Sequence, residues 1–274
     1  MQKKKVIVIS DTHLGFDKSD VTALNRFLDD LKDDRDLTDL VLLGDIVDMW
    51  RRDASGVFLE NWDVFSKILG LGARVKVHYV AGNHDYHVMN LKNGRSCFRY
   101  PFEFCMKASI EDGEWTYWFV HGHEFEYENP NMKIVIDGLC RFMSDEYGRL
   151  PDKVWRWVTK LWFNTRYFFT NVSLFRTRPT IPPLELQEGP EKRLRNRMKA
   201  IVENAYSAQG GKPKEILVFG HTHQPFVNKA KGVVNAGSWV TDAEVHNTYV
   251  VLSGGEARMY RFEEGDITDK VALG

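Results

Sequence analysis

KVIVISDTHLG, residues 5–15, is an apolar run that stops on Asp11-Thr12-His13. Val6, Ile7, Val8 and Ile9 are consecutive and β-branched, as in a strand buried on both faces. The carboxylate and imidazole that follow therefore sit beyond a strand's carboxyl end, where α/β sheets bind their ligands. The same grammar recurs along the chain. LVLL at 40–43 leads into Gly44-Asp45, with Asp48 close behind. VKVHYV at 75–80 leads into Ala81-Gly82-Asn83-His84-Asp85, and WTYWFV at 115–120 into His121-Gly122-His123. ILVF at 216–219 leads into Gly220-His221-Thr222-His223. Any one junction alone reads as a turn or a capping residue. Five of them, holding six of the nine histidines, read as one rim supplied from both ends of the chain.

A sixth apolar run, TYVVL at 248–252, completes the strand set. Helical spacing near 20–33 and 57–70 alternates with the first three strands, which predicts βαβ units and a partly parallel sheet. After about residue 100 the strands come closer together, which suggests antiparallel pairing. The expectation is an α/β fold, one domain over residues 1–274, with a helical insertion at 130–205.

Composition sets bounds on this reading. The chain has 274 residues and is 43% hydrophobic, enough for a real core, so a metal would serve chemistry rather than rescue a small fold. Its net charge of -1 excludes a body that is basic all over. Cys97, Cys105 and Cys140 form neither a CxxC pair nor an even-numbered disulfide framework, which fits a reduced, cytoplasmic setting. The apolar run after MQKKK is shorter than the roughly 7–15 residues of a signal core. No stretch approaches the roughly 18–20 apolar residues of a spanning helix.

Glycine accompanies four of the five junctions. Gly44, Gly82, Gly122 and Gly220 can take positive φ and turn the backbone tightly, letting neighbouring side chains converge. An i, i+2 spacing in extended chain puts both side chains on one face, so Asp11 with His13, and His221 with His223, can each chelate. Asp, His and Asn without thiolate suit divalent ions: Mn²⁺ first, with Zn²⁺, Fe or Ni²⁺ as alternatives. The ligands are too many for one ion. Two ions about 3.5–4 Å apart would share a bridging carboxylate and clamp phosphoryl oxygens.

In order, the junctions read DTH, GD, GNHD, HGH and GHTH. This series resembles the calcineurin-like metallophosphoesterase family over residues 11 to 223. The resemblance implies a four-layer αββα sandwich. It puts Asp11, His13 and His223 on a first metal, Asp45 as the bridge, and Asn83, His121 and His221 on a second. It makes His84 the catalytic histidine, oriented by Asp85, with a metal-activated hydroxide as nucleophile. Within the family the chain looks most like the branch of UDP-2,3-diacylglucosamine hydrolase, a lipid-pathway pyrophosphatase. It departs from that branch at His84, where the branch has Arg, and at His123, where the branch usually has an acid.

The insertion differs from the rest of the chain. Residues 142–175 hold ten aromatics, and residues 141–203 hold thirteen basic residues against seven acidic ones. Three readings stand side by side. The segment packs on the core, or caps a lipid-linked phosphate and touches an anionic membrane surface, or binds nucleic acid. The near-neutral charge of the whole chain argues against nucleic acid. Trp157, Trp239 and His123 are candidate substrate contacts. The functional expectation is a dinuclear phosphohydrolase acting on a phosphodiester or pyrophosphate, its substrate a small phosphorylated molecule that is lipid- or nucleotide-linked, as UDP-2,3-diacylglucosamine is. The alternatives are a nuclease or cyclic-nucleotide phosphodiesterase, or a non-catalytic metal-bearing scaffold. The expected location is cytoplasmic, with peripheral contact to the inner membrane.

Overall fold

The structure, a computed structural model, describes residues 3–93, 100–126, 206–207 and 213–273. The insertion expected at 130–205, with Trp157, lies outside the described residues. Along the chain run β1 (Val6–Ile9), α1 (Val21–Asp33), β2 (Asp39–Leu43), α2 (Ala54–Glu60), α3 (Trp62–Leu71) and β3 (Lys76–Val80). Then come α4 (Met89–Asn93), β4 (Phe102–Cys105), β5 (Lys107–Asp112) and β6 (Trp115–Val120). The last part holds β7 (Glu215–Phe219), β8 (Phe226–Asn228), β9 (Val233–Asn235), β10 (Thr248–Ser253), β11 (Glu256–Arg261) and β12 (Gly265–Asp266).

Two mixed sheets result. The seven-stranded sheet has the order β12-β11-β10-β1-β2-β3-β4, and the five-stranded sheet β5-β6-β7-β9-β8. β1 to β4 are mutually parallel, as the βαβ reading requires, and β10 runs antiparallel beside β1. The later strands correct the simple antiparallel expectation. β5 and β6 pair antiparallel, but β6 with β7 and β7 with β9 are parallel. Ninety-odd residues separate β6 from β7 in the sequence, which leaves ample chain for the crossover a parallel pair needs.

Alternation along β1 shows how the layers form. Ile7 and Ile9 face one way, into a cluster with Leu24, Phe27, Leu28, Phe65 and Ile68 of α1 and α3. Val6 and Val8 face the other way, against Tyr117, Phe119, Ile216 and Val218 of the second sheet. Burial on both faces explains why the strand has no polar alternation. α1 presents Ala23, Leu24, Phe27, Leu28 and Leu31 to the sheet, one apolar stripe, and starts where the Asp20 carboxylate accepts from Ala23 N at 3.0 Å. The expected α/β sandwich of two mixed sheets with helices is thus present. Among the described residues no helix is long and apolar enough to cross a membrane.

Candidate metal centre

The parallel strands β1, β2 and β3 of one sheet and β6 and β7 of the other end at the same rim. Their trailing loops are tied together by main chain. Asp11 N donates to Gly44 O at 3.0 Å, His13 N to Asp45 O at 2.9 Å, and Gly220 N to His121 O at 2.9 Å. These bonds carry the strand pairing one step past each sheet, and His221 N, donating to Asp11 Oδ2 at 2.9 Å, ties together residues more than two hundred positions apart.

Among the described residues three groups of donor atoms form there, one of them His13 with Asp48 and His84, and the other two hold the expected ligands. Asp11, His13 and His223 make one, and Asp45, His121 and His221 the other, each with its ligand atoms within 4.8 Å of one another. In the first, His13 Nε2 faces His223 Nε2 at 3.2 Å, and Asp11 Oδ1 lies 3.4 Å from His223 Nε2. In the second, Asn83 Oδ1 lies 2.9 Å from His121 Nε2. Asp45 Oδ2 reaches both clusters, 3.7 Å from His13 Nε2 and 3.3 Å from His121 Nε2. All seven expected ligand residues therefore meet at one place.

The residues fit a bound cation. Asp11 Oδ1 is buried with no hydrogen-bond partner among the described residues, a costly state for a carboxylate oxygen unless something else meets it. Two imidazole nitrogens confronted at 3.2 Å share one proton at most, whereas a cation between them satisfies both lone pairs. The backbone is strained at the same positions. Asp11, His13, Asp45, His221 and His223 all have φ between 46° and 66°. The left-handed region is uncommon for residues with a Cβ, and such strain gathers at functional sites. The nitrogen and oxygen donor set, without thiolate, is that of a divalent metal site.

Gly82 and Gly220 correct part of the glycine reading. Gly44 and Gly122 do have positive φ, 76° and 109°, but Gly82 and Gly220 do not. They are glycines because of space. A Cβ on Gly82 would lie 2.2 Å from Asp45 Oδ1, and one on Gly220 would lie 2.3 Å from Asp11 Oδ2. The ligand carboxylates pack directly on these α-carbons.

The electrostatics follow from burial and pairing. Burial alone would raise the Asp45 carboxyl, but the imidazoles of His121, His84 and His13 outweigh it and hold the group well below the usual carboxylate range. Burial would likewise lower His121, yet the charge of Asp45, with Asp11 and Asp85 beyond it, pushes the imidazole up to about 10.

His84 sits on the rim of this centre, its Nε2 4.0 Å from Asp45 Oδ2. Its expected orienting partner, Asp85, is not on it. Asp85 is fully buried and accepts from Ile46 N and Tyr79 OH, each at 2.8 Å, and from Gly82 N at 2.6 Å. It staples the β2 and β3 junctions together. The carboxylate that holds His84 is Asp48, with Oδ1 3.1 Å from His84 Nδ1 and Oδ2 3.0 Å from His13 Nδ1. Arg51 also donates to Asp48. The second Asp of GDIVD was the signal for this, since three residues past Asp45 a turn returns a side chain to the same rim.

The candidate substrate contacts divide. His123 lies beside the second cluster, its ring 5.6 Å from that of His121 and 6.1 Å from that of His221. Trp239 is corrected. It is wholly buried, its ring 5.1 Å from Phe27 and 6.1 Å from Phe262, and it presents no surface to a substrate. Its main chain still serves the centre, because Trp239 N donates to Asp11 O at 3.1 Å.

The profile of the calcineurin-like phosphoesterase family matches residues 4–225. No curated protein sequence matches the chain. Among solved structures it is similar to Yfce, a phosphoesterase from E. coli, at 16% identity over 96% of this chain and 97% of that one, TM-score 0.49. It is similar to a dimetal phosphatase from Danio rerio, at 14% identity over 95% and 99% of the two chains, TM-score 0.45. It is also similar to Vacuolar Protein Sorting 29 from Cryptosporidium parvum, at 13% identity over 94% and 95%, TM-score 0.38. The profile match takes in all five junctions and most of both sheets, and on that ground the chain belongs to the calcineurin-like phosphoesterase family.

Proposed function

We propose that the protein is a dinuclear metal-dependent phosphohydrolase that cleaves a phosphodiester or pyrophosphate bond, with a nucleotide- or lipid-linked substrate resembling UDP-2,3-diacylglucosamine. The observation that carries this reading is the place of Asp45 Oδ2, within 3.7 Å of His13 Nε2 in one cluster and 3.3 Å of His121 Nε2 in the other. Asp11, His13 and His223 would hold one ion, Asn83, His121 and His221 the second, and Asp45 both. Mn²⁺ is the ion we assign first. Bound there, such a pair supplies Lewis acidity toward phosphoryl oxygens and an activated water. His84 stands at the rim with its Nδ1 on Asp48, so its Nε2 is the nitrogen left to give a proton to a departing oxygen. His123 is placed to meet the substrate beside the second cluster. The same reading sets the protein in the cytoplasm, with the aromatic, basic insertion as its contact to an anionic membrane surface.

The test is ³¹P NMR of the Mn²⁺-loaded full chain with UDP-2,3-diacylglucosamine and, separately, an aryl phosphodiester. UMP released from the first supports the lipid-nucleotide assignment, while cleavage of the second alone moves the substrate elsewhere and keeps the chemistry. Asp45→Ala removes the shared carboxylate and should lower turnover by at least about 10³-fold, as losing a group that acts as part of a unit does. Near-normal turnover by that variant would sink the dinuclear reading.

A further inference from the structure

Resting on that reading, we propose that Trp50 is the positioning residue of His84, its indole fixing the plane of the imidazole so that Nε2 stays aimed at Asp45. The two rings are stacked, with centroids 3.8 Å apart and planes 22° from parallel. The hydrogen bond from Nδ1 to Asp48 at 3.1 Å constrains one edge of the ring. A single bond at one edge still lets the ring tilt about it, and a contact along the ring normal removes that freedom. The indole supplies this contact on one face. The His13 ring packs against His84 as well, with centroids 4.8 Å apart and planes at 86°. The main chain builds the stack in. Met49 N donates to His84 O at 3.3 Å, and His84 N donates to Asp45 Oδ1 at 2.8 Å, so the segment bearing Trp50 is tied to the segment bearing His84.

The role has a specific kinetic signature. A residue that aims a proton donor matters to the chemical step more than to binding. It matters most when the departing oxygen is basic and needs the proton. The experiment uses the metal-loaded full chain with Trp50→Ala and Trp50→Phe on two aryl phosphodiesters, one losing a nitrophenol and one losing phenol. Trp50→Ala should lower kcat by about 10- to 100-fold on the phenyl ester, by less than about threefold on the nitrophenyl ester, and leave KM unchanged. Trp50→Phe keeps a stacking face and should recover most of the loss. A readout independent of turnover accompanies this. In the Zn²⁺-loaded protein the indole ring current should shift the His84 ring protons upfield, and Trp50→Ala should abolish that shift with metal content unchanged. Equal losses on both esters, a change in KM alone, or unmoved His84 protons would overturn the proposal and leave the phosphohydrolase reading intact. A wild-type protein inert on both esters and on UDP-2,3-diacylglucosamine would remove the reading and the proposal together, while His84→Ala with wild-type leaving-group dependence would overturn the proposal alone.

Discussion

Asp48 and Asp85 are both buried carboxylates, yet only one can tune the rim histidine. Asp48 accepts from two imidazoles and an arginine, while Asp85 accepts from two main-chain amides and a phenol. Their ionisation reflects this. The imidazoles of His84 and His13 overcome burial and hold Asp48 well below the usual range, whereas burial and the charge of Asp45 push Asp85 up to about 6. The conservative amides should separate the two. Asp48→Asn keeps the shape but loses the charge that fixes two ring tautomers, and activity should fall about 10- to 100-fold, as when an outer carboxylate behind a ligand histidine is removed. Asp85→Asn turns an NH₂ toward a donor, so its cost is unmade hydrogen bonds, about 1–3 kcal/mol of stability, with the His84 ring unmoved. Chemical denaturation and His84 ring resonances measure both. The reverse pattern, with Asp85→Asn shifting the ring and Asp48→Asn leaving it, would restore the orienting role to Asp85.

At the scale of elements, the packing of α1 on the first sheet claims Trp239. Phe27 of α1 touches Trp239, Tyr249 of β10 and Phe262, at 5.1, 4.7 and 5.7 Å between ring centres. Trp239→Phe should therefore cost about 1–3 kcal/mol in denaturant unfolding through the space it leaves, with KM unchanged. A raised KM at wild-type stability would instead make it a substrate contact. This is also where the sequence was least legible. NAGSW ends on a large aromatic near a histidine motif, and no local pattern tells a rim indole from a buried one. β1, β2, β3, β6, β7 and β10 could be read because each is a short apolar run, and all but β10 end in a polar junction. β8, β9 and β12 span only two or three residues and are too short to show a period. The junction ligands were legible because Asp and His beyond an apolar strand have few structural reasons to recur. Asp85 departs from the expected orienting role because adjacency to His84 in sequence says nothing of direction, and its side chain turns inward to the β2 junction.

For the whole molecule, the metal centre is the joint between the two sheets. Asp11, Asp45 and Asn83 come from one sheet, and His121, His221 and His223 from the other, so ions bound there tie both halves of the core. An ion that binds only the folded chain stabilises it by about 2.7 kcal/mol at a hundred times its Kd. Chelation should lower the melting temperature accordingly. The size of that effect should depend on pH, and its sign can be worked out. His121 in the metal-free protein is pushed up to about 10, since Asp45, Asp11 and Asp85 outweigh the burial that would lower it. Without metal, a folded-state pKa raised above the ordinary value contributes stability that is complete below about 6.5 and lost as pH climbs toward 10. Ligation needs the neutral ring, so each ion entering below that pKa must expel this proton. Apparent affinity should then rise roughly tenfold per pH unit for one proton released. Scanning fluorimetry of Mn²⁺-loaded and chelator-treated protein should show a melting-point gap that widens from about pH 6 to about pH 8, with proton uptake on chelation measurable in weakly buffered solution. A gap of constant size, or chelation without proton uptake, would mean that His121 is already neutral and that Asp45 holds no charge pair for the metal to replace.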